Sequence, residues 1–150
     1  MKPKGALFEL AFIKKFCPRV FDDFCFLPSV GASGGILVAW KSSVFSRAKI
    51  FQNNYAISVQ FSSLHNNDSW ILTFIYGPCD PKGKVDFLDW LGNVQMPDEE
   101  DWLLVGDFNL LRKPKDRNRH GGNTNEMLLF NEVISALGIE EISLQRKKYI

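Results

Sequence analysis

Two apolar segments that end in glycine and polar residues constrain the fold of this chain more than any other feature. The first, Trp70 to Tyr76, stops at Gly77-Pro78, and the second, Trp102 to Val105, runs directly into Gly106-Asp107-Phe108-Asn109. Both have the composition of strands. Because Pro81 to Val94, between them, has apolar residues at helical spacing, we predict two adjacent strands joined through a helix. The helical stripe consists of Phe87, Trp90, Leu91 and Val94.

An antiparallel pair is predicted just upstream. Tyr55 to Phe61 alternates apolar with small or polar residues, which is the period of a strand with one buried face. A polar turn, His65 to Asp68, separates it from Trp70 to Tyr76. These two strands should therefore pair with each other.

A glycine-rich turn predicts a hairpin nearer the amino terminus. Gly31 to Gly35 separates a strand within Arg19 to Pro28 from the apolar run Ile36 to Trp40, which fits a strand buried on both faces. Glycine-rich backbones can also bind phosphate, but the Lys-Ser/Thr of a phosphate loop is missing here and no helix is predicted to follow. The hairpin is the favoured interpretation.

Two further helices are predicted. Ala6 to Phe16 is dense in apolar residues, and Pro18 marks its end. Asn123, with Glu126 three residues later, resembles a helix N-terminal cap, and Gly138 ends the stripe that follows. That stripe consists of Met127, Phe130, Ile134 and Leu137, and Ile142 with Leu144 suggests one more strand.

The composition is that of one globular domain. At 150 residues with 45% hydrophobic residues, the chain can bury a single core. A net charge of +1 argues neither for nor against a nucleic-acid partner, so any basic surface must be local. Three cysteines without CxxC spacing favour reduced thiols in an intracellular protein over a disulfide framework or a zinc site. No segment has the roughly 18 uninterrupted apolar residues of a membrane span.

The Gly106-Asp107-Phe108-Asn109 segment carries the residues best suited to chemistry. In an extended segment alternate side chains point to the same side, so Asp107 and Asn109 could reach one site while Phe108 turns into the core. The carboxylate could orient and deprotonate a water, and the amide could donate a hydrogen bond to that water or to a phosphate oxygen. Gly106 would let the backbone approach closely. The same tetrapeptide could also be an ordinary turn, since Asp and Asn readily bond their own backbone.

Taken in order, the motifs resemble the endonuclease/exonuclease/phosphatase superfamily, and most of all the endonuclease domain of plant non-LTR (LINE-type) retroelements. The motifs are Ile75-Tyr76-Gly77-Pro78, Gly106-Asp107-Phe108-Asn109, Val30 to Trp40, Asp116-Arg117-Asn118-Arg119 and Leu137 to Ile142. The resemblance covers most of the chain, from Phe21 to Tyr149. It implies an α/β (α+β) fold, a four-layer sandwich in which two mixed sheets face each other and helices cover the outside. The site would lie at one end of the sheets.

The resemblance also implies a magnesium-dependent DNA endonuclease site. By position, Asp107 would orient or activate the water, Asn109 would contact the water or the phosphate, and Tyr76 would contact the phosphate. The family's early Asn and Glu, which bring the magnesium, and its late Ser-Asp-His have no counterpart in this sequence. We therefore expect a partial copy of the domain, truncated at both ends, with an incomplete magnesium ligand set and little or no activity.

Basic residues directly after the motif are candidates for nucleic-acid contact. They are Arg112, Lys113, Lys115, Arg117 and Arg119. The alternative is a solvated surface loop. A non-catalytic nucleic-acid or protein binding module on the same fold is the second functional hypothesis. A third keeps the fold and moves the substrate to a phosphoinositide or a poly(A) tail, as in other branches of the superfamily.

Overall fold

The chain forms two compact units in the structure, a computed structural model that describes residues 14–15, 17–29, 35–117 and 121–142. The first unit consists of Met1–Gly77 and Met96–Phe108, and the second of Pro78–Gln95 and Asn109–Ile150. The strands with described bounds all belong to the first unit, and the helices Pro81–Asn93 and Thr124–Ala136 belong to the second. The expectation of a single domain over residues 1–150 stays a prediction.

The first unit is built from two sheets. Its strands are β1 (Asp23–Leu27), β2 (Ile36–Trp40), β3 (Phe45–Gln52), β4 (Ala56–Ser63), β5 (Ser69–Tyr76) and β6 (Asp101–Asp107). β1 and β2 form an antiparallel two-stranded sheet, and the remaining strands form a four-stranded sheet in the order β3-β4-β5-β6. In the larger sheet only β5 and β6 run parallel. The predicted α+β class with two sheets is confirmed, and the larger sheet is mixed.

The β1–β2 hairpin is confirmed by its register, which pairs Asp23 with Trp40 and Leu27 with Ile36. The predicted glycine turn itself lies largely outside the described residues. At the open end of the hairpin, the Asp22 carboxylate accepts hydrogen bonds from the Ser42 hydroxyl at 2.6 Å and the Ser42 backbone N–H at 2.7 Å. These two bonds, the hydroxyl first, lower the pKa of Asp22 below its usual value.

The two sheets pack face to face around an aromatic core. Val38 and Trp40 of β2 meet Ile57, Val59 and Phe61 of β4, and all five are buried. The Trp40 and Phe61 rings contact edge to face, with centroids 5.4 Å apart. This packing fixes which face of the larger sheet points toward the hairpin.

The prediction that β2 is buried on both faces is wrong. Val38 and Trp40 are each 4% exposed, whereas Leu37 is 44% exposed. Successive side chains of a strand point to opposite faces, and only one face of the two-stranded sheet packs on the larger sheet. An uninterrupted apolar run in this strand therefore does not mean that both of its faces are buried.

The second face of β4 is also buried, so the prediction of one buried face is wrong for its first half. Ala56 and Ser58 are as buried as their neighbours in the strand. The Ser58 and Thr73 hydroxyls bond each other at 2.8 Å, and Trp102 Nε1 donates to Thr73 Oγ1 at 2.8 Å. A buried polar cluster therefore connects β4, β5 and β6 on the face opposite the aromatic core.

Strand β3 was not predicted, because a bulge interrupts its alternation. Arg47 pairs with Phe61 and Lys49 pairs with Gln60, so Ala48 is an extra residue in the ladder. The residue of β3 that pairs with core-facing Phe61 is odd-numbered, Arg47. After the bulge, the residues of β3 that pair with core-facing Val59 and Ile57 are even-numbered. A period-two search misses such a strand. The bulge lies beside Arg47, whose guanidinium stacks over the Trp40 ring at 5.6 Å.

The second unit contains two helices, α1 (Pro81–Asn93) and α2 (Thr124–Ala136), and a short 3-10 helix, Pro114–Asp116. Asp80 caps α1 by accepting from the Gly83 N–H at 2.7 Å. The predicted cap of α2 is confirmed, since Asn123 Oδ1 accepts from the N–H groups of Asn125 and Glu126. The buried helix residues are Phe87, Leu88 and Leu91 in α1 and Phe130 and Ile134 in α2.

Two other predicted elements lie mainly outside the described residues. The helix predicted over Ala6 to Phe16 has only Lys14 and Lys15 within them, and the strand predicted at Ile142 and Leu144 has only Ile142. No helix in the described part of the chain is long and apolar enough to cross a membrane. Cys17, Cys25 and Cys79 are free thiols.

Replacing Thr73 by Val should destabilise the protein by about 1–3 kcal/mol, because the Ser58 hydroxyl and the Trp102 indole N–H would lose a shared buried partner. Urea denaturation followed by tryptophan fluorescence measures the free energy of unfolding. The control Thr73→Ser keeps the oxygen and should be destabilised less. Equal destabilisation of the two variants would contradict a stabilising role for the hydroxyl.

Candidate functional site

The parallel register of β5 and β6 brings two predicted site residues together. The ladder runs from Trp70 opposite Asp101 to Tyr76 opposite Asp107. Both residues thus lie at the carboxyl ends of adjacent strands, although they are far apart in sequence. The prediction that the two segments are neighbouring strands is confirmed. Of the three residues predicted to cluster at one end of a sheet, Tyr76, Asp107 and Asn109, the register places Tyr76 beside Asp107.

Backbone contacts made possible by glycine hold this end of the sheet together. Gly77 N–H donates to the Asp107 carbonyl at 2.7 Å, and a Cβ on Gly77 would collide with the Phe108 carbonyl. Gly106 has a φ of 139°, and a Cβ there would collide with the Ile75 carbonyl. Only glycine satisfies both conditions at Gly106.

The other end of β6 is tied to the sheet by Glu100. Its Oε1 accepts from Gln60 Nε2 at 2.9 Å, and its Oε2 accepts from Ser69 Oγ at 2.7 Å. Trp102 adds the bond to Thr73 further along the strand. A slip of one residue in β6 would break all three bonds, so they help to fix Asp107 opposite Tyr76.

Tyr55 belongs to the same row and was missed as a site residue. The Tyr76 N–H donates to the Tyr55 carbonyl at 2.9 Å, which extends the β4–β5 register beyond the pairing of Ala56 with Ile75. Tyr55, Tyr76 and Asp107 therefore occupy neighbouring positions across three strands. In the sequence, Tyr55 is only one apolar member of an alternating strand, and its place opposite Tyr76 depends on pairing.

The row lies on the sheet face that points toward the β1–β2 hairpin. Alternation along β5 places Tyr76 on the face of Leu72 and Phe74, which pack against the aromatic core. Asp107 is exposed and the two tyrosines are partly buried. The row can therefore offer a carboxylate to a water and phenol O–H donors to an anionic oxygen at the edge of the core.

Asn109 does not continue the extended segment. Strand β6 ends at Asp107, and Asn109 has a φ of 52°, in the left-handed region that Asn tolerates better than most residues. The premise that alternation places Asp107 and Asn109 on one side is therefore wrong. Asn109 begins the second unit, and its role at the site stays a prediction.

Magnesium is the cofactor that the family resemblance implies for the Asp107 position. Magnesium prefers a near-octahedral set of oxygens, with one or two carboxylates supplemented by phosphates and waters. Within the described ranges, no group of three or more His, Cys, Asp or Glu side chains could hold a metal ion. Magnesium stays an expectation of the family resemblance, and we derive no chemical step through it.

The basic residues after the motif are held by contacts within the second unit. Arg112 Nε donates to Asn131 Oδ1 at 3.1 Å, and Asn131 Nδ2 donates back to the Arg112 carbonyl at 2.9 Å. Arg117 donates to the Gly121 carbonyl. Lys113, Lys115 and Arg117 are exposed, as predicted for a surface segment, and Arg112 is half-buried. Arg119 lies outside the described residues.

Cys25 is a poor candidate nucleophile. It is half-buried beside the aromatic core, and burial raises the pKa of its thiol despite the opposing effect of Arg47. A raised pKa reduces the thiolate fraction at neutral pH. The thiol acts as a packing residue at the edge of the core.

Gly106→Ala should cost more than about 2 kcal/mol of unfolding free energy, since the methyl group meets the Ile75 carbonyl in a backbone region that alanine avoids. Gly138→Ala is the matched control. Gly138 has a φ of 66°, but nothing lies within 4 Å of its added Cβ. This control should be destabilised by about 1 kcal/mol from conformation alone. Urea denaturation followed by circular dichroism compares them, and equal destabilisation would argue against the close approach.

No protein-family model matches this chain, and no curated protein matches it. Membership of the endonuclease/exonuclease/phosphatase superfamily stays a prediction from the motif residues.

Proposed function

We propose that this chain is a remnant of a magnesium-dependent phosphodiesterase domain of the endonuclease/exonuclease/phosphatase class, related to a DNA endonuclease of plant retroelements, with little or no activity of its own. The observation that carries the proposal is the register of Tyr76 with Asp107 at the carboxyl ends of two parallel strands. These are the two positions to which the family motifs assign phosphate contact and water activation.

The chemistry that this end of the sheet supports is attack of water on a phosphodiester. The exposed Asp107 carboxylate can accept a hydrogen bond from a water and take its proton as the water oxygen attacks phosphorus. The bond from phosphorus to the leaving alcohol oxygen then breaks, and that oxygen takes a proton from solvent. Tyr76, in the adjacent strand, can donate its phenol O–H to a non-bridging phosphate oxygen and stabilise the charge that develops there.

We infer weak activity because the family's early Glu and late Ser-Asp-His have no counterpart in this sequence. The transition state of phosphodiester hydrolysis gains negative charge and requires cations or metal ions as well as a base. Groups in such a site act as a unit, so the loss of those partners would remove most of the rate enhancement. Binding and partial orientation can survive when catalysis does not.

The purified protein should nick supercoiled plasmid no faster than its Asp107→Asn variant, in magnesium or in manganese, because one carboxylate is an insufficient metal and general-base system. The proportion of relaxed plasmid on agarose gels measures the rate. The complementary test fuses to either side the family segments that carry the early Glu and the late Asp-His pair.

In the fused protein, activity should appear, and Asp107→Asn should lower it by about a hundredfold or more, since Asp107 then acts within a complete unit. Asp101→Asn is the matched control, because Asp101 is an exposed carboxylate at the other end of β6. It should retain activity. A fused protein that folds but nicks equally well with Asp107→Asn would refute the proposal. Asp107-dependent nicking by the unfused chain would refute the claim of incompleteness.

Non-catalytic nucleic-acid binding is the second candidate function. The observation that favours it is the exposure of Lys113, Lys115 and Arg117 on one short segment directly after the motif. Contacts from such cations to phosphates release counterions, are sensitive to salt and carry little sequence information. This function could be retained without a complete catalytic site.

Neutralising Arg117 and Arg119 to Gln should weaken binding to all DNA sequences alike, because both cations would contact phosphates and not bases. The slope of the logarithm of DNA affinity against the logarithm of salt concentration should decrease in magnitude by about one for each arginine that no longer contacts a phosphate. Fluorescence anisotropy with two unrelated labelled duplexes, repeated over a range of salt, measures both effects.

The control for this prediction is the double variant Arg19→Gln with Lys41→Gln, which removes the same charge from exposed positions of the first unit. It should leave DNA affinity close to that of the unmodified protein. Equal weakening by the two double variants would favour a solvated loop.

A further inference from the structure

Two cations of the basic segment converge on one carboxylate oxygen. Glu141 Oε2 lies 3.3 Å from Arg112 Nη1 and 3.9 Å from Lys113 Nζ. Both cations belong to the segment that follows the Asp107 motif, and Glu141 follows helix α2. The carboxylate thus occupies the point where the two positive side chains meet.

The arginine of this cluster is held in place independently of Glu141. The Asn131 side chain, on α2, accepts from Arg112 Nε and donates to the Arg112 carbonyl. This reciprocal pair leaves the outer part of the guanidinium directed to Glu141 through Nη1. The orientation of Arg112 should therefore persist when Glu141 is neutralised.

The other nearby carboxylate has a different task. Asp116 Oδ2 accepts from the Lys113 backbone N–H at 3.1 Å and so closes the turn that contains the 3-10 helix. Within the described residues, Glu141 is the carboxylate that forms ion pairs with Arg112 and Lys113. Glu141, and not Asp116, is therefore the carboxylate that an incoming anion would have to displace from these two cations.

A phosphate oxygen satisfies the same requirements as Glu141 Oε2. It is anionic, accepts charge-assisted hydrogen bonds and can be shared between an arginine and a lysine. The side chains of Arg112 and Glu141 are 33% and 60% exposed, so the pair is in contact with solvent and open to exchange. An anion from solution can therefore replace the carboxylate without unfolding the segment.

We propose that Arg112 and Lys113 form an anion-binding pair that Glu141 occupies as an internal competitor, and that a nucleic-acid phosphate must displace Glu141 to bind there. This inference rests on the second candidate function, nucleic-acid contact through the basic segment. It adds that Glu141 weakens nucleic-acid binding at Arg112 and Lys113 by occupying them. Neutralising Glu141 removes the competitor while Asn131 keeps Arg112 in position.

The test compares Glu141→Gln with Glu140→Gln. Both variants remove one negative charge at adjacent exposed positions, but Glu140 forms no ion pair with any described residue. Glu141→Gln should bind a labelled DNA duplex about two- to fivefold more tightly than Glu140→Gln, which is the range expected when an exposed ion pair no longer competes. Its salt dependence should be steeper, because one or two further cations now contact phosphate.

A second probe, inorganic phosphate, separates this inference from the proposed function. Titration of phosphate is followed through the NMR signal of Arg112 Nε–H, and Glu141→Gln should shift at lower phosphate concentration than Glu140→Gln. In a background with both Arg112→Gln and Lys113→Gln, the two Glu variants should bind DNA equally. That result is expected if Glu141 acts through these two cations and not through net charge.

The outcomes are distinct. Tighter phosphate binding by Glu141→Gln, without DNA binding by any variant, would support the occupied anion pair and overturn nucleic-acid binding as the function. Salt-sensitive DNA binding that is equal in the two Glu variants would support the function and overturn the role of Glu141. Equal phosphate affinity in Glu141→Gln and Glu140→Gln would also overturn the role of Glu141 as a competitor.

Discussion

The parallel pairing of β5 with β6 is the interaction on which the candidate site depends. Parallel neighbours need a crossover connection, and here the intervening chain contains helix α1. Without this pairing, Tyr76 and Asp107 would be two unrelated strand ends. With it, they become adjacent positions of one ladder, and the Gly77 N–H bond to the Asp107 carbonyl continues that ladder past the last pair.

Register is maintained from both faces of the larger sheet. On one face, apolar and aromatic side chains pack against the β1–β2 hairpin. On the other, the Ser58, Thr73 and Trp102 bonds are buried and specific in direction. A one-residue slip of β6 would turn its side chains to the other face and would leave the buried hydroxyl and indole groups unpaired. Both kinds of contact therefore limit the register of β6, and through it the position of Asp107.

Sequence reasoning succeeded where pattern and local chemistry agree. The apolar strand ending at Tyr76, the cap at Asn123 and the glycine at position 106 each have a local cause that can be read from neighbouring residues. It failed where the outcome depends on pairing. Ala48 breaks the alternation of β3 only because β4 lies opposite, and Tyr55 joins the site row only because of its partner in β5. The left-handed backbone of Asn109 likewise has no signal in the Gly-Asp-Phe-Asn pattern beyond the tolerance of Asn.

The two edges of the larger sheet differ in their openness to further strands. At β3, a bulge after Arg47 interrupts the regular ladder, and such irregularity discourages edge-to-edge association. At β6 the register has no irregularity, and Leu103 and Val105 are 38% and 36% exposed. No described strand pairs with the outer side of β6. Of the two described edges, the one at β6, which carries Asp107, is therefore the more regular template for a further strand.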